Sequence, residues 1–183
     1  ALGLAFAHVL AAGLGCSEDP AATPGDDAAP SAIVLIVVDT LRTDRLSLYG
    51  HTRATTPRLE ALAREATVYE RAYATAPWTT PSVASLLSSH YPTEIGVVNL
   101  DRAVPDSVVM LPERLRDAGY ATGAVVSHDF VSAKWGFDQG FDEFDERFVR
   151  GPQAVTSEGI SALAEEWIER HADERFFLFL HYF

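Results

Sequence analysis

Basic residues are scarce in this sequence: 14 Lys and Arg stand against 26 Asp and Glu, a formal net charge of −12. That shortage excludes a surface built to track nucleic acid, which needs a basic footprint. It also leaves an anionic substrate without an obvious counter-charge, a gap that a bound cation would fill as the largest local charge in its site. Cysteine is scarcer still. Cys16 stands alone, so the chain can form no internal disulfide framework and no cysteine-based zinc site. The apolar run from Ala1 to Gly15 is too short for a membrane span. What remains is ordinary for a globular domain: 48% hydrophobic residues over 183 positions, enough for one real core.

The chain reads in three parts. Residues 1–16 form the apolar stretch of a signal peptide, ending Gly13-Leu14-Gly15-Cys16. Small residues before a cysteine suit a bacterial lipobox, in which Cys16 would carry lipid as the mature amino terminus. Gly13 stands where Leu is usual, so an ordinary cleaved signal with a chance cysteine is the other reading. Either predicts export to the periplasm or cell surface, with membrane association through a lipid anchor only. Residues 17–30, SEDPAATPGDDAAP, are too polar and too rich in Ala and Pro to bury a core and predict a flexible tether. The folded part is residues 31–183.

Within it, Ile33–Val38 is six apolar, mostly β-branched residues, which predicts a strand buried on both faces of a parallel sheet. Thr56-Pro57 marks a helix start. Val68–Tyr73 reads as a short strand and Pro81–Ser89 as a helix. Leu111–Ala118 reads as a helix stopped by Gly119, and Ala121–Val126 as the next strand. Ile160, Leu163, Ala164, Trp167 and Ile168 fall at helical spacing. Phe176–Leu180 is a second fully apolar strand, expected at the edge of the sheet with a neighbour missing on one side. Strands alternating with helices predict an α/β fold with a mostly parallel sheet between helices.

Two constellations carry chemistry. Asp39-Thr40 follows the first strand, where open α/β sheets bind ligands. Asp39 there either meets a cation or caps the next turn. Thr79 and Thr80 open a helix whose first amides lack partners and can bind an anion. A hydroxyl at that point is either a nucleophile toward sulfate or phosphate or a plain N-cap.

The stretches IVLIVVDTLRTDRLSLYG and TTPRLEALAREATVYERAYATAPWTTPSVASLLSSHYP resemble the amino-terminal core of the sulfatase family, in the alkaline-phosphatase-like superfamily. RLRDAGYATGAVVS, GFDQGFDEFDE and FFLFLHYF extend the resemblance, in order, over residues 31–183. It implies an alkaline-phosphatase-like fold truncated on its carboxyl-terminal side, since the family's remaining metal ligands lie in the later half. The 183 residues are accordingly expected to bind metal weakly and to lack turnover by themselves. The resemblance gives Asp39 the role of a metal-binding Asp and Thr79, two before Pro81, the role of nucleophile and further metal ligand. The cation would be divalent: calcium, or zinc, manganese or magnesium. The substrate would be an anionic ester, with sulfated or phosphorylated glycans and lipids as the classes in view.

Three departures shape the expectation. Thr40 replaces a second metal-binding Asp, Thr79 replaces the Cys or Ser that sulfatases oxidise to formylglycine, and Val83 replaces the signature Arg. Formylglycine is therefore not expected, and the residues lean toward phosphoester or phosphonate chemistry. A head-group transferase and a non-catalytic surface lipoprotein keeping the fold are the alternatives. Thr80, His128 and Lys134 are lesser candidates. Lys134-Trp135 partly matches a Gly-Lys-Trp-His segment of sulfatases but reads better as a solvated loop. Asp138, Asp142, Asp145 and Glu146 read as an acidic loop, and His90 and His181 carry no spacing argument.

Overall fold

A computed structural model describes residues 30–99, 101–149 and 157–183. The leader, Cys16 and the tether up to residue 29 lie outside the described residues. Four parallel strands form one sheet: β1 (Ala32–Val38), β2 (Ala121–Val126), β3 (Glu143–Asp145) and β4 (Phe176–Tyr182), in the order β1-β4-β2-β3. The α-helices are α1 (Pro57–Leu62), α2 (Thr79–Ser88), α3 (Leu111–Asp117) and α4 (Ser157–Arg170). The expected α/β architecture is present, with helices on both faces of the sheet.

Strand alternation sorts the core into two layers. Ala124, Val126, Phe177 and Phe179 face the α2 side with Val83, Ala84 and Leu87. Val125, Phe176, Leu178 and Leu180 face α4, meeting Ile160, Ala164 and Trp167. Gly119, at φ +83°, ends the α3 segment as expected, because a residue without Cβ takes the left-handed turn freely.

Three expectations fail. β4 is not an edge strand: it pairs with β1 on one side and β2 on the other. β1 is the edge among the described residues, and only one of its faces is covered. Ile33, Leu35 and Val37 pack on the core, while Val34, Ile36 and Val38 are 43%, 57% and 48% exposed. The reason is placement, since α4 packs on β2 and β4, and no β1 residue joins the core on that face. Val68–Tyr73 is irregular and exposed, with no strand partner to satisfy its backbone.

Gly123 shows how tightly α4 sits. A Cβ there would meet the Trp167 indole at 2.5 Å, closer than real packing permits. Gly123→Ala should therefore destabilise the fold by about 1–3 kcal/mol, the usual cost of overpacking. A urea melt with an unchanged midpoint would contradict that packing.

Candidate active site

Asp39 extends β1 by one residue. Its amide donates to the Tyr182 carbonyl at 2.8 Å, so the carboxyl end of the sheet fixes its backbone. The next residue, Thr40, has φ +55°. A β-branched residue in the left-handed region costs about 1–3 kcal/mol, the kind of strain that collects at functional sites. The turn leaves Thr40 exposed on the wall of a cleft that Asp39 and Thr79 also line, without a hydrogen bond to either among the described residues.

Thr79 and Thr80 are the first two residues of α2, and Trp78 is the N-cap, with no side-chain cap bond. Neither threonine is therefore an N-cap. Their hydroxyls part company. Thr79 Oγ1 donates to Asp39 Oδ2 at 3.0 Å, across 40 residues of sequence. Thr80 Oγ1, fully buried, donates to the Phe130 carbonyl at 2.8 Å and ties α2 to the loop after β2. The first-turn amides of Thr79 and Thr80 have no partner among the described residues. Pro81 has none to offer, so two N–H groups point out of the helix start beside the Thr79 hydroxyl.

Asp39, Thr40 and Thr79 border a cleft of about 580 Å³. Trp78, Phe130, Phe183 and the buried Val83 give it apolar walls, and Ser82 and His128 add polar atoms. His128 Nδ1 accepts from the Phe130 amide at 3.2 Å. The neutral ring then carries its proton on Nε2 as a donor. The ring packs against Phe130 and Phe183, with centroids 4.6 and 4.3 Å apart.

His181 also reaches this site, although the sequence offered no spacing for it. Period-two alternation puts residues 177, 179 and 181 on the α2 face, as it does residues 33, 35, 37 and 39. The pairing Val37↔His181 then sets the imidazole beside Asp39. His181 Nε2 lies 3.4 Å from Asp39 Oδ2, the oxygen that Thr79 also uses. Burial pushes the imidazole below its ordinary pKa; the Asp39 carboxylate pulls it upward, and His128 adds to the depression. The signal that could have found His181 is its break in FFLFLHYF, a polar residue at the carboxyl end of an apolar strand.

Lys134 is not brought to the cleft. It pairs with Asp129 at 3.5 Å and lies over the Trp135 ring. Three of the four acids in the acidic loop are committed elsewhere. Asp142 accepts from the Thr122 amide and hydroxyl, Asp145 pairs with Arg147, and Glu146 accepts from the Ala133 amide. Among the described residues no three His, Cys, Asp or Glu side chains gather to hold a metal ion. Asp39 and His181, with the Thr79 hydroxyl, are the donors that converge.

The sulfatase family model matches residues 31–183. An N-acetylgalactosamine-6-O-sulfatase of Bacteroides thetaiotaomicron is 34% identical over 116 residues, 61% of this chain and 23% of that protein. The chain spans about a quarter of the length of the curated relatives it matches. BT4656, solved with its substrate D-glucosamine-2-N,6-O-disulfate, superposes with a TM-score of 0.71 at 21% identity, over 82% of this chain and 33% of that one. The periplasmic domain of EptC from Escherichia coli, in complex with Zn, gives 0.64 at 21% identity, over 84% and 43%.

Proposed function

The chain belongs to the sulfatase family, and from that membership we propose that the protein cleaves anionic esters of sulfate or phosphate at the Asp39–Thr79 site. The observation that carries this reading is the 3.0 Å hydrogen bond from Thr79 Oγ1 to Asp39 Oδ2. It joins a helix-start hydroxyl to a carboxylate at the carboxyl end of the sheet, where ligands bind in such folds. Thr79 is the nucleophile. Its proton already points at Asp39 Oδ2, and attack on phosphorus or sulfur displaces the ester alcohol and leaves the group on Oγ1. The free amides of Thr79 and Thr80 stabilise negative charge developing on the transferred group. Trp78, Phe130 and Phe183 give the cleft apolar walls.

The donors fit a divalent cation. Asp39 and Thr79 supply oxygens suited to calcium, magnesium or manganese, and zinc too accepts carboxylate oxygen. Such an ion, when bound, supplies Lewis-acid stabilisation of anionic oxygen. In the full-length protein, calorimetric titration with each of these cations should find a site that Asp39→Ala abolishes. The 183 residues alone should bind weakly, because the donors that converge are far fewer than the six to eight oxygens that calcium takes. Tight binding that survives Asp39→Ala would remove the metal from Asp39.

Thr79 cannot become formylglycine, which favours phosphoester or phosphonate substrates within this reading. A Thr ester must be discharged by water or by an acceptor alcohol. Assays with and without added alcohols would separate a hydrolase from a head-group transferase. The protein acts outside the cytoplasm on this reading, with residues 1–16 as leader, 17–30 as tether, and Cys16 as lipid anchor. Cys16→Ala should release it from the membrane fraction of an expressing bacterium. Unchanged membrane association would remove Cys16 from that role.

A further inference from the structure

His181 is costly to keep where it is. It lies in the central strand, fully buried, and neither ring nitrogen has a well-formed hydrogen bond among the described residues. Buried polar atoms are nearly always satisfied, so the exceptions call for a reason. Its strand neighbours are Phe176, Phe177, Leu178, Phe179 and Leu180, and a leucine would serve a purely structural position better. Asp39 Oδ2 lies 3.4 Å from Nε2. A bare nitrogen lone pair facing a carboxylate oxygen would be repelled, so in the neutral ring the hydrogen sits on Nε2 and not on Nδ1.

We propose that His181 is a positioning residue for the Asp39–Thr79 site: its Nε2–H and the Thr79 hydroxyl hold a single oxygen of the Asp39 carboxylate. Asp39 is then gripped at Oδ2 from the sheet by β4 and from the helix start by α2, while Oδ1 has no hydrogen bond among the described residues. Two donors on one oxygen fix the rotation of the carboxylate and reserve the other oxygen for a ligand. Groups that orient a metal-binding carboxylate in this way set cation affinity without touching the cation. His181 is suited to the task by its place in β4, since its Cα partner Val37 stands two residues before Asp39 on the same face of the sheet. Asp39 itself is only 11% exposed, so water competes little for that oxygen.

This proposal rests on Asp39 being a cation ligand, and the test separates the two. In the full-length protein, Asp39→Ala, His181→Leu and His181→Gln are titrated with manganese and with calcium by calorimetry, and melted without metal. Expected are loss of binding in Asp39→Ala, affinity weakened about 10- to 100-fold in His181→Leu, and recovery to within a few-fold in His181→Gln. The glutamine amide reaches where Nε2–H does. The melting temperature of His181→Leu should equal or exceed that of the parent. Undiminished binding in Asp39→Ala would sink the site reading. Loss there with parent-like affinity in His181→Leu, or a glutamine variant no better than leucine, would overturn the positioning role alone. Heteronuclear NMR of labelled histidine in the parent protein decides independently of any variant's folding. The Nε2–H form should be seen in the metal-free protein and should persist when metal is added. A proton on Nδ1, or loss of the Nε2 proton on metal addition, would overturn the proposal.

Discussion

Thr79→Ala should lower turnover of the full-length protein by roughly a thousandfold or more, as removal of a covalent nucleophile does, whereas Thr80→Ala should leave the chemical step largely in place. The two hydroxyls are adjacent in sequence and opposite in duty. Thr79 Oγ1 borders the cleft and is bonded to Asp39, with free helix amides beside it. Thr80 Oγ1 is sealed in the interior and committed to the Phe130 carbonyl. Removing it strands a buried acceptor, which costs about 1–3 kcal/mol of stability. Thr79→Ala removes a donor from a bordering carboxylate and should hardly move the melting curve. Thr79→Ser keeps the attacking oxygen and should retain much of the rate. Steady-state kinetics and urea melts on the three variants check this. Equal kinetic damage from Thr80→Ala, with Thr79→Ala nearly silent, would move the nucleophile by one residue.

The sequence carried the site's two anchors because each has a local cause. Asp39 ends an apolar strand, and Thr79 starts a helix two residues before Pro81, so motif and element boundary coincide. Their separation of duty from Thr40 and Thr80 was not local. It depends on the φ of +55° at Thr40, which leaves that residue on the cleft wall without a hydrogen bond to Asp39 or Thr79 among the described residues, and on the Phe130 carbonyl 50 residues on from Thr80. The strand order was hidden for a related reason. Ile33–Val38 and Phe176–Leu180 look alike as apolar runs, and which becomes the edge is decided by where α4 lies. His181 was hidden twice over, by its apolar surroundings and by a register with β1 that only the paired sheet defines.

The second large effect concerns the element at the centre of the ester. Phosphodiesters or phosphonate monoesters are expected to exceed aryl sulfates in kcat/KM by about a hundredfold or more, about 2.7 kcal/mol in activation free energy. The argument begins at Thr79. A formylglycine hydrate has a second hydroxyl through which it can collapse and expel sulfate. The Thr79 ester has one oxygen and no such exit, so a second in-line attack must break it at the central atom. Phosphoryl centres accept repeated in-line displacement on sites that neutralise their oxygens. Val83 points the same way: the position that holds Arg in the sulfatase signature presents methyl groups buried in the core and at the cleft wall. The guanidinium of that signature is absent there, and the cleft's aromatic and apolar walls suit the remaining substituent of a diester. A phosphate group trapped on Thr79 during turnover, found by mass spectrometry of rapidly quenched enzyme, would support this course. Clear preference for sulfate esters would overturn the inference from Thr79 and Val83, and would leave the Asp39–Thr79 pair to discharge a sulfate ester by direct attack of water on sulfur.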